Sequence, residues 1–172
     1  MAFPTGWARK QKITIQSSEV SGAGSYSNFP VLITLDHLNS EIVDGGLNSA
    51  LNGGGDIRFS SDSVGSTQLA CEIVEFVVNA TSGSRKASIW VKVPSISTSF
   101  NTDFYIWYRK SGESLPVISD PFGRNAVWTD YPFVSHDGGK TDSTGNATPT
   151  EIGSPTNAIG PFGTSNGARE WA

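Results

Sequence analysis

Six short apolar segments separated by glycine- and serine-rich turns constrain the fold of this chain more than any other feature. In Lys12–Gln16, apolar and polar residues alternate, as they do in a strand with one buried face. The other predicted strands cover residues 29–35, 56–60, 68–78, 87–93 and 103–109. Between residues 36 and 55 the pattern breaks, and the glycines there permit one short helix at most. The sequence therefore predicts an all-β fold, an antiparallel β-sandwich or jelly roll.

The character of the chain changes after Lys110. Prolines recur through the rest of the sequence, and apolar runs of strand length nearly vanish. Proline lacks the backbone N–H that a central strand needs, so we expect few such strands in this part. The sequence predicts a β-sandwich domain over residues 1–112, a linker over 113–122, and a Pro/Gly-rich extended arm over 123–172.

Charge and hydropathy narrow the classes of partner. Charged residues make up 16% of the chain, against about 25% in an average soluble domain, and the net charge is −4. Because phosphate backbones are bound by clustered Lys and Arg, we expect no nucleic-acid partner. No apolar run approaches the roughly 20 residues of a membrane-spanning helix, and the N-terminal residues lack the pattern of a signal peptide. We therefore expect synthesis in the cytoplasm without membrane insertion.

Residues with catalytic chemistry are few and scattered. The two histidines, His37 and His136, lie far apart in loop-like stretches, and no nucleophile elbow, zinc-protease motif or phosphate loop occurs. Glu72 and Glu75 fall on opposite faces of a regular strand, so they do not make an acid/base pair. The single cysteine, Cys71, lies in an apolar run typical of a buried core residue. The sequence predicts a protein that is not an enzyme and needs no cofactor.

One oxygen-rich loop, Asp142–Asn146, has the composition of a calcium-binding loop. Asp142 and Asn146 are its candidate ligands. Short Asp and Asn side chains also cap turns by accepting backbone N–H groups, and that alternative requires no metal. The sequence leaves both interpretations open.

Aromatic side chains give the strongest indication of a binding surface. In the last two predicted strands, every second residue belongs to a side expected to face the core. Trp90, Tyr105, Trp107 and Arg109 fall on the opposite side of these strands. Large aromatic side chains on an outer face are either covered by another element or bind a partner. A cover formed by the C-terminal segment or a neighbouring subunit, sugar stacking, and a core on both faces all remain open.

An ordered set of motifs over about residues 5–112 resembles a bacterial and phage domain family of unknown function. The motifs are Trp7, Lys12–Ile15, Asn28–Leu35, Gly55–Asp62, Cys71–Val74, Ile89–Pro94 and Phe104–Tyr108. That family often lies directly before a lectin-type sandwich of the laminin-G or concanavalin-A kind. The resemblance implies a binding or structural module of a phage or bacterial surface protein.

The segment after residue 122 is similar to the start of such a lectin-type domain. The similarity lies in Asn125–Trp128, Phe133–His136, Asp142–Asn146 and Gly160–Gly163. A complete sandwich of this kind takes about 100 residues. We therefore expect either a longer gene product, which we favour, or a remnant that serves as an arm.

Together these features predict a bacteriophage virion structural protein, either a capsid decoration or head-fibre protein or one associated with the tail. We expect its N-terminal sandwich to bind phage coat or tail proteins and further copies of itself, while its C-terminal lectin-like region projects. The alternative is a carbohydrate-binding or adhesion module that stacks host surface glycans on the outer aromatic residues. Virion localisation follows from the first interpretation.

Overall fold

A computed structural model of the chain describes residues 3–136, 141–150, 156–160 and 168–170. The chain divides into two compact units, Met1–Val127 and Trp128–Ala172. Nearly all of the regular structure is β-strand. Within the described ranges, no helix is long and apolar enough to cross a membrane.

Seven strands of the first unit form two antiparallel sheets. They are β1 (Arg9–Ile15), β2 (Ser25–Thr34), β3 (Arg58–Ser60), β4 (Gln68–Leu69), β5 (Cys71–Val77), β6 (Lys86–Ser97) and β7 (Thr102–Tyr108). The four-stranded sheet has the order β1-β7-β3-β4, and the three-stranded sheet has the order β2-β6-β5. The two N-terminal strands therefore supply one edge strand to each sheet, because β1 pairs with β7 and β2 with β6.

One face of each sheet lies in a shared core. Ile89 and Val91 of β6 are fully buried in the same cluster as Phe104 and Ile106 of β7. Alternation along each strand places these side chains on the inner face, and burying each one contributes roughly 1.5–3 kcal/mol. The prediction of an all-β antiparallel sandwich is confirmed.

Two predicted elements differ in the structure. The segment predicted as one strand over residues 68–78 changes sheets at Ala70, since β4 pairs with β3 whereas β5 pairs with β6. The apolar pattern continues through this point, so periodicity gives no sign of the change. The short helix expected after residue 36 is replaced by two single 3₁₀ turns, Leu35–His37 and Ser40–Ile42.

Residues that follow β7 pack on the first unit as far as Val127. The Cys71 N–H donates to the Phe122 backbone oxygen at 3.1 Å. One helical turn, α1 (Arg124–Val127), packs against β5 and β6. The segment predicted as a linker thus contacts the outer edge of the three-stranded sheet. The domain boundaries at residues 112 and 122 stay predictions from the sequence.

The second unit is described over part of its length. Its strands β8 (Thr156–Ala158) and β9 (Ala168–Glu170) pair antiparallel. One of the lectin-like segments, Asn125–Trp128, overlaps α1, because the Ala126 N–H donates to the Gly123 oxygen and starts a helical turn. In another lectin-like segment, Gly160–Gly163, residues 161–163 lie outside the described residues.

Candidate functional site

The four residues predicted to form a binding surface lie on two separate surfaces. Trp90 belongs to β6 in the three-stranded sheet, whereas Tyr105 and Trp107 belong to β7 in the four-stranded sheet. Because the core lies between the sheets, Trp90 faces outward on one side of the sandwich, and Tyr105 and Trp107 face outward on the other. Arg109 follows β7 with an exposed side chain and a φ of 64°. The structure brings Tyr105 and Trp107 together and separates them from Trp90.

Trp107 is covered by the chain's own N-terminal residues, so that only 8% of it is exposed. The Phe3 ring contacts it edge-to-face with centroids 5.6 Å apart, and Phe3 contacts Trp7 in the same way at 5.2 Å. Lys10 Nζ lies 4.9 Å from the centre of the Trp107 ring, in cation–π geometry. The Trp107 Nε1–H donates to Ser60 Oγ at 2.7 Å. This tryptophan is therefore an internal contact of the fold.

We call residues 3–7 the N-terminal clasp, and the β3–β4 hairpin holds it in place. Pro4 packs against Gly65, where a Cβ atom would lie 2.8 Å from the proline ring. Gly65 also has a φ of +78°, a conformation that other residues rarely adopt. The Lys10 ammonium donates to the Ser63 backbone oxygen in the same hairpin. The predicted cover was a C-terminal segment or a neighbouring subunit. For Trp107 the cover is instead N-terminal, and the apolar residues Phe3, Pro4 and Trp7 were its sequence signal.

Trp7 anchors the clasp beside a group of charged residues. Its indole N–H donates to the Asp56 backbone oxygen at 2.5 Å. Arg58 Cζ and Lys110 Nζ lie 5.5 and 3.9 Å from the Trp7 ring centre. Glu113 balances both cations, with Oε1 2.7 Å from Lys110 Nζ and Oε2 3.4 Å from Arg58 Nη2. The contact with Lys110 is the main cause that lowers the pKa of Glu113. The charges beside Trp7 are thus paired within the unit.

The Asp56 carboxylate is fully buried and joins segments that are distant in the sequence. Its Oδ1 accepts the Leu51 N–H at 2.8 Å, and its Oδ2 accepts the N–H groups of Arg109 and Lys110 at 2.7 and 3.0 Å. A buried carboxylate is tolerated only when such donors replace its lost hydration. Asp56 therefore has a structural role. The sequence predicted only that this residue begins a strand.

Tyr105 is the half-buried aromatic residue of the outer face of the four-stranded sheet. Its cross-strand neighbours are Lys12 in β1 and Ser60 in β3. Lys10 Nζ lies 5.9 Å from its ring centre, and Lys12 forms an ion pair with Asp103 at 3.2 Å. A partly open ring beside hydrogen-bonding side chains is the arrangement on which a sugar ring stacks.

On the opposite outer face, Trp90 is half-buried and lies across from Glu72 of β5. A register shift at Val74 puts Glu72 and Glu75 on the same face, so their predicted placement on opposite faces is wrong. The cause is the extra residue of a β-bulge, which interrupts the alternation. Glu75 forms an ion pair with Lys86 at 2.7 Å, and Glu72 is only 7% exposed.

Three side chains with acid/base or nucleophilic chemistry are engaged in the fold. His37 Nδ1 accepts the Thr34 N–H at 3.0 Å and caps a 3₁₀ turn. The buried Tyr108 donates its hydroxyl to Glu41 Oε1 at 2.6 Å, and burial together with this carboxylate raises the pKa of Tyr108. Burial also raises the pKa of Cys71 to about 12, so it stays a thiol at neutral pH.

The Asp142 carboxylate organises its loop by accepting hydrogen bonds. Oδ1 accepts the N–H groups of Val134 and Thr144 at 3.1 and 3.0 Å. Oδ2 accepts the Thr144 hydroxyl at 2.6 Å and the N–H groups of Asn146 and Ala147 at 3.0 and 2.9 Å. Burial raises the pKa of Asp142, but these hydrogen bonds outweigh it and hold the pKa well below its ordinary value.

These donors occupy the oxygen lone pairs that a calcium ion would use, and Asn146 contributes a backbone N–H rather than an oxygen. Among residues 3–136, 141–150, 156–160 and 168–170, no group of three or more His, Cys, Asp or Glu side chains could hold a metal ion. The geometry of the loop is that of turn capping.

A family model described as a domain of unknown function (DUF2341) matches residues 53–115. The matched stretch runs from the loop before β3 to the residues just after β7. It overlaps the region in which the motifs resemble a family of unknown function, and it assigns no activity. No curated protein and no solved structure matches the chain.

Proposed function

We propose that this chain is a bacteriophage virion structural protein, a capsid-decoration, head-fibre or tail-associated protein. Its N-terminal sandwich binds a coat or tail protein, and its C-terminal lectin-like region projects from the particle. The low charge and the sequence resemblance support this proposal. Asp56, His37 and Tyr108 form hydrogen bonds within the fold, as described above, and this agrees with a protein that binds its partners through surface contacts.

The observation that carries the proposal is an exposed apolar segment that begins at the last residue of the family-matched region and continues beyond it. Leu115, Val117, Ile118 and Phe122 are 48, 69, 52 and 36% exposed. A turn holds the segment, because the Asp120 N–H donates to the Val117 oxygen at 2.8 Å. Clustered apolar side chains on a fixed backbone are typical of a protein-binding surface. A coat or tail protein that covers this segment would remove these side chains from water.

The test is sedimentation of the phage particles that are released from a bacterial culture carrying the gene for this chain. We expect the chain to co-sediment with particles on a density gradient and to stay bound after a high-salt wash, since apolar contacts are not screened by salt. A chain that remains entirely in the particle-free fractions would overturn the proposal.

A pair of matched variants locates the binding surface. Val117→Asp combined with Ile118→Asp places two charges on the exposed segment, and we expect it to leave the particle fraction. Leu47→Asp is the control, because Leu47 is 93% exposed in another loop and we expect this variant to stay bound. Loss of both variants from the particles would contradict the assignment of the surface.

A second candidate function is carbohydrate binding, which the partly open ring of Tyr105 beside the exposed Lys12–Asp103 ion pair favours. In this interpretation the sugar stacks on the tyrosine, and Lys12 and Asp103 supply hydrogen bonds. A glycan array should show a signal for the wild-type chain that Tyr105→Ala removes and Trp90→Ala leaves unchanged. An array on which the wild-type chain binds nothing would end this candidate.

A further inference from the structure

Two stretches of the sequence, residues 20–35 and 93–102, contain no Asp, Glu, Lys, Arg or His, although charged residues make up 16% of the chain. The fold brings them together, because the first half of β2 pairs with the second half of β6 and Ser25 lies opposite Ser97. We call residues 20–29 and 93–102 the uncharged end. β5 pairs with β6 only as far as Val91, so beyond that point the sheet has two strands.

The uncharged end exposes three aromatic side chains. Every residue from 21 to 29 is exposed. Tyr26 and Phe29 are 40 and 46% exposed, and their rings meet edge-to-face with centroids 6.0 Å apart. Phe100, in the loop that joins β6 to β7, is 77% exposed. The core of a protein–protein interface is rich in aromatic residues and poor in charged residues, and the uncharged end has this composition.

The other edge strands of the first unit are partly covered, charged or very short. The outer edge of β5 is contacted at its first residue, where the Cys71 N–H donates to the Phe122 oxygen. β1 carries Arg9, Lys10 and Lys12, and such charges on an edge strand oppose pairing with another strand. β4 has two residues. The ten-residue β2 is thus a long edge strand that carries no charge.

We propose that the uncharged end is a self-association surface, to which a second copy of this chain binds through the same residues. In a twofold contact each residue lies near its own counterpart, so a charged surface would repel its copy. The uncharged end has no such repulsion, whereas a charged partner would lose hydration there without gaining a counter-charge. This inference rests on the proposed function only for its expectation that copies assemble.

The test introduces charges at Ser27, which is exposed in β2. Sedimentation velocity of the full chain over a wide concentration range should show self-association that high salt does not weaken. Ser27→Lys and Ser27→Glu, each measured alone, should associate at least tenfold more weakly, a loss of about 1.4 kcal/mol. An equimolar mixture of the two variants should regain association, because unlike charges then face each other.

Ser82→Lys is the matched control, because Ser82 is an exposed serine in the β5–β6 hairpin, outside the uncharged end. We expect it to associate like the wild type. All variants should keep the wild-type unfolding midpoint, since substitutions at exposed positions change stability by about 0.5 kcal/mol or less. A wild-type chain that stays monomeric at every concentration would overturn the inference, as would single-charge variants that associate normally.

This experiment uses the purified chain alone, so its outcome is independent of particle binding. If the chain self-associates but does not co-sediment with particles, the self-association surface is supported and the virion proposal is overturned. The reverse result keeps the virion proposal and removes the uncharged end as a contact between copies.

Discussion

The regions at the two ends of β7 use aromatic residues in opposite ways. Near the C-terminal end of β7, Trp107 lies beneath the N-terminal clasp, and charged residues surround Trp7. At the uncharged end, Tyr26 and Phe29 are exposed and no charged residue occurs in either stretch. The same class of side chain therefore stabilises the fold where the chain supplies a cover and remains available to a partner where it does not.

The largest effect that separates the two ends is expected from Trp107→Ala. Removing a buried indole leaves a cavity and costs about 3–5 kcal/mol. Chemical denaturation should show this loss, and light scattering should show the oligomeric state of the wild type for any protein that remains folded. If Trp107 were an assembly residue instead, the variant would dissociate while keeping its unfolding midpoint. Trp107→Phe, which retains a ring under the clasp, should lose less.

A smaller loss is expected from Asp56→Asn. The amide keeps the size of the side chain but has one acceptor oxygen for three N–H donors, so at least one buried donor loses its partner. Such a loss costs about 1–3 kcal/mol. Urea unfolding measures it, and Asp36→Asn, at an exposed position, serves as the control. Equal midpoints for wild type and Asp56→Asn would show that the carboxylate does not join these segments.

Acid should loosen the clasp side and leave the uncharged end unchanged. Hydrogen bonds led by that from the Ser66 N–H lower the pKa of Asp62 from 3.8 to about 2. A folded-state pKa below the unfolded value means that this contribution is fully present above pH 3.8 and is lost as the pH falls through about 2.

Backbone chemical shifts in residues 62–67 should therefore change over this pH range. In Asp62→Asn that change should be absent. Residues 20–29 contain no side chain that titrates below neutral pH and provide the internal reference. Equal acid-induced changes in both regions would contradict the comparison.

The smallest effect is expected from Phe100→Ser at the uncharged end. With 77% of the side chain exposed, its removal should change the unfolding free energy by about 0.5 kcal/mol or less. Thermal unfolding provides the measurement, and Phe104→Ser in the core is the destabilised counterpart. A loss comparable with that of Trp107→Ala would show that this end is also covered within the chain.

Periodicity predicted the strands but not their neighbours. The alternation in residues 87–93 and 103–109 identifies the core-facing sides correctly, because a side chain's face depends only on local strand geometry. Pairing depends on residues far apart in sequence, so nothing local shows that Trp90 and Trp107 belong to different sheets. The bulge at Val74 adds one residue to β5, and at Ala70 the chain passes from one sheet to the other. Neither feature alters the apolar pattern of the sequence.

The candidate site was predictable in part for the same reason. Parity alone placed Tyr105 and Trp107 on an outer face. The cover over Trp107 comes from Phe3, which lies about 100 positions away along the chain and is brought near it by the pairing of β1 with β7. The Asp142 loop was the reverse case, because its hydrogen bonds are local and the turn-capping alternative was available from composition.

The strand order also predicts how the family-matched stretch would behave as a separate polypeptide. Residues 53–115 include β6 and β7 but lack β1 and β2, which pair with them. A polypeptide limited to that stretch would leave one whole side of each strand without backbone partners, a strong template for aggregation. The stretch that the family model matches is therefore smaller than the folding unit, and a gene rearrangement that moves this domain intact must also carry β1 and β2, which end at Thr34.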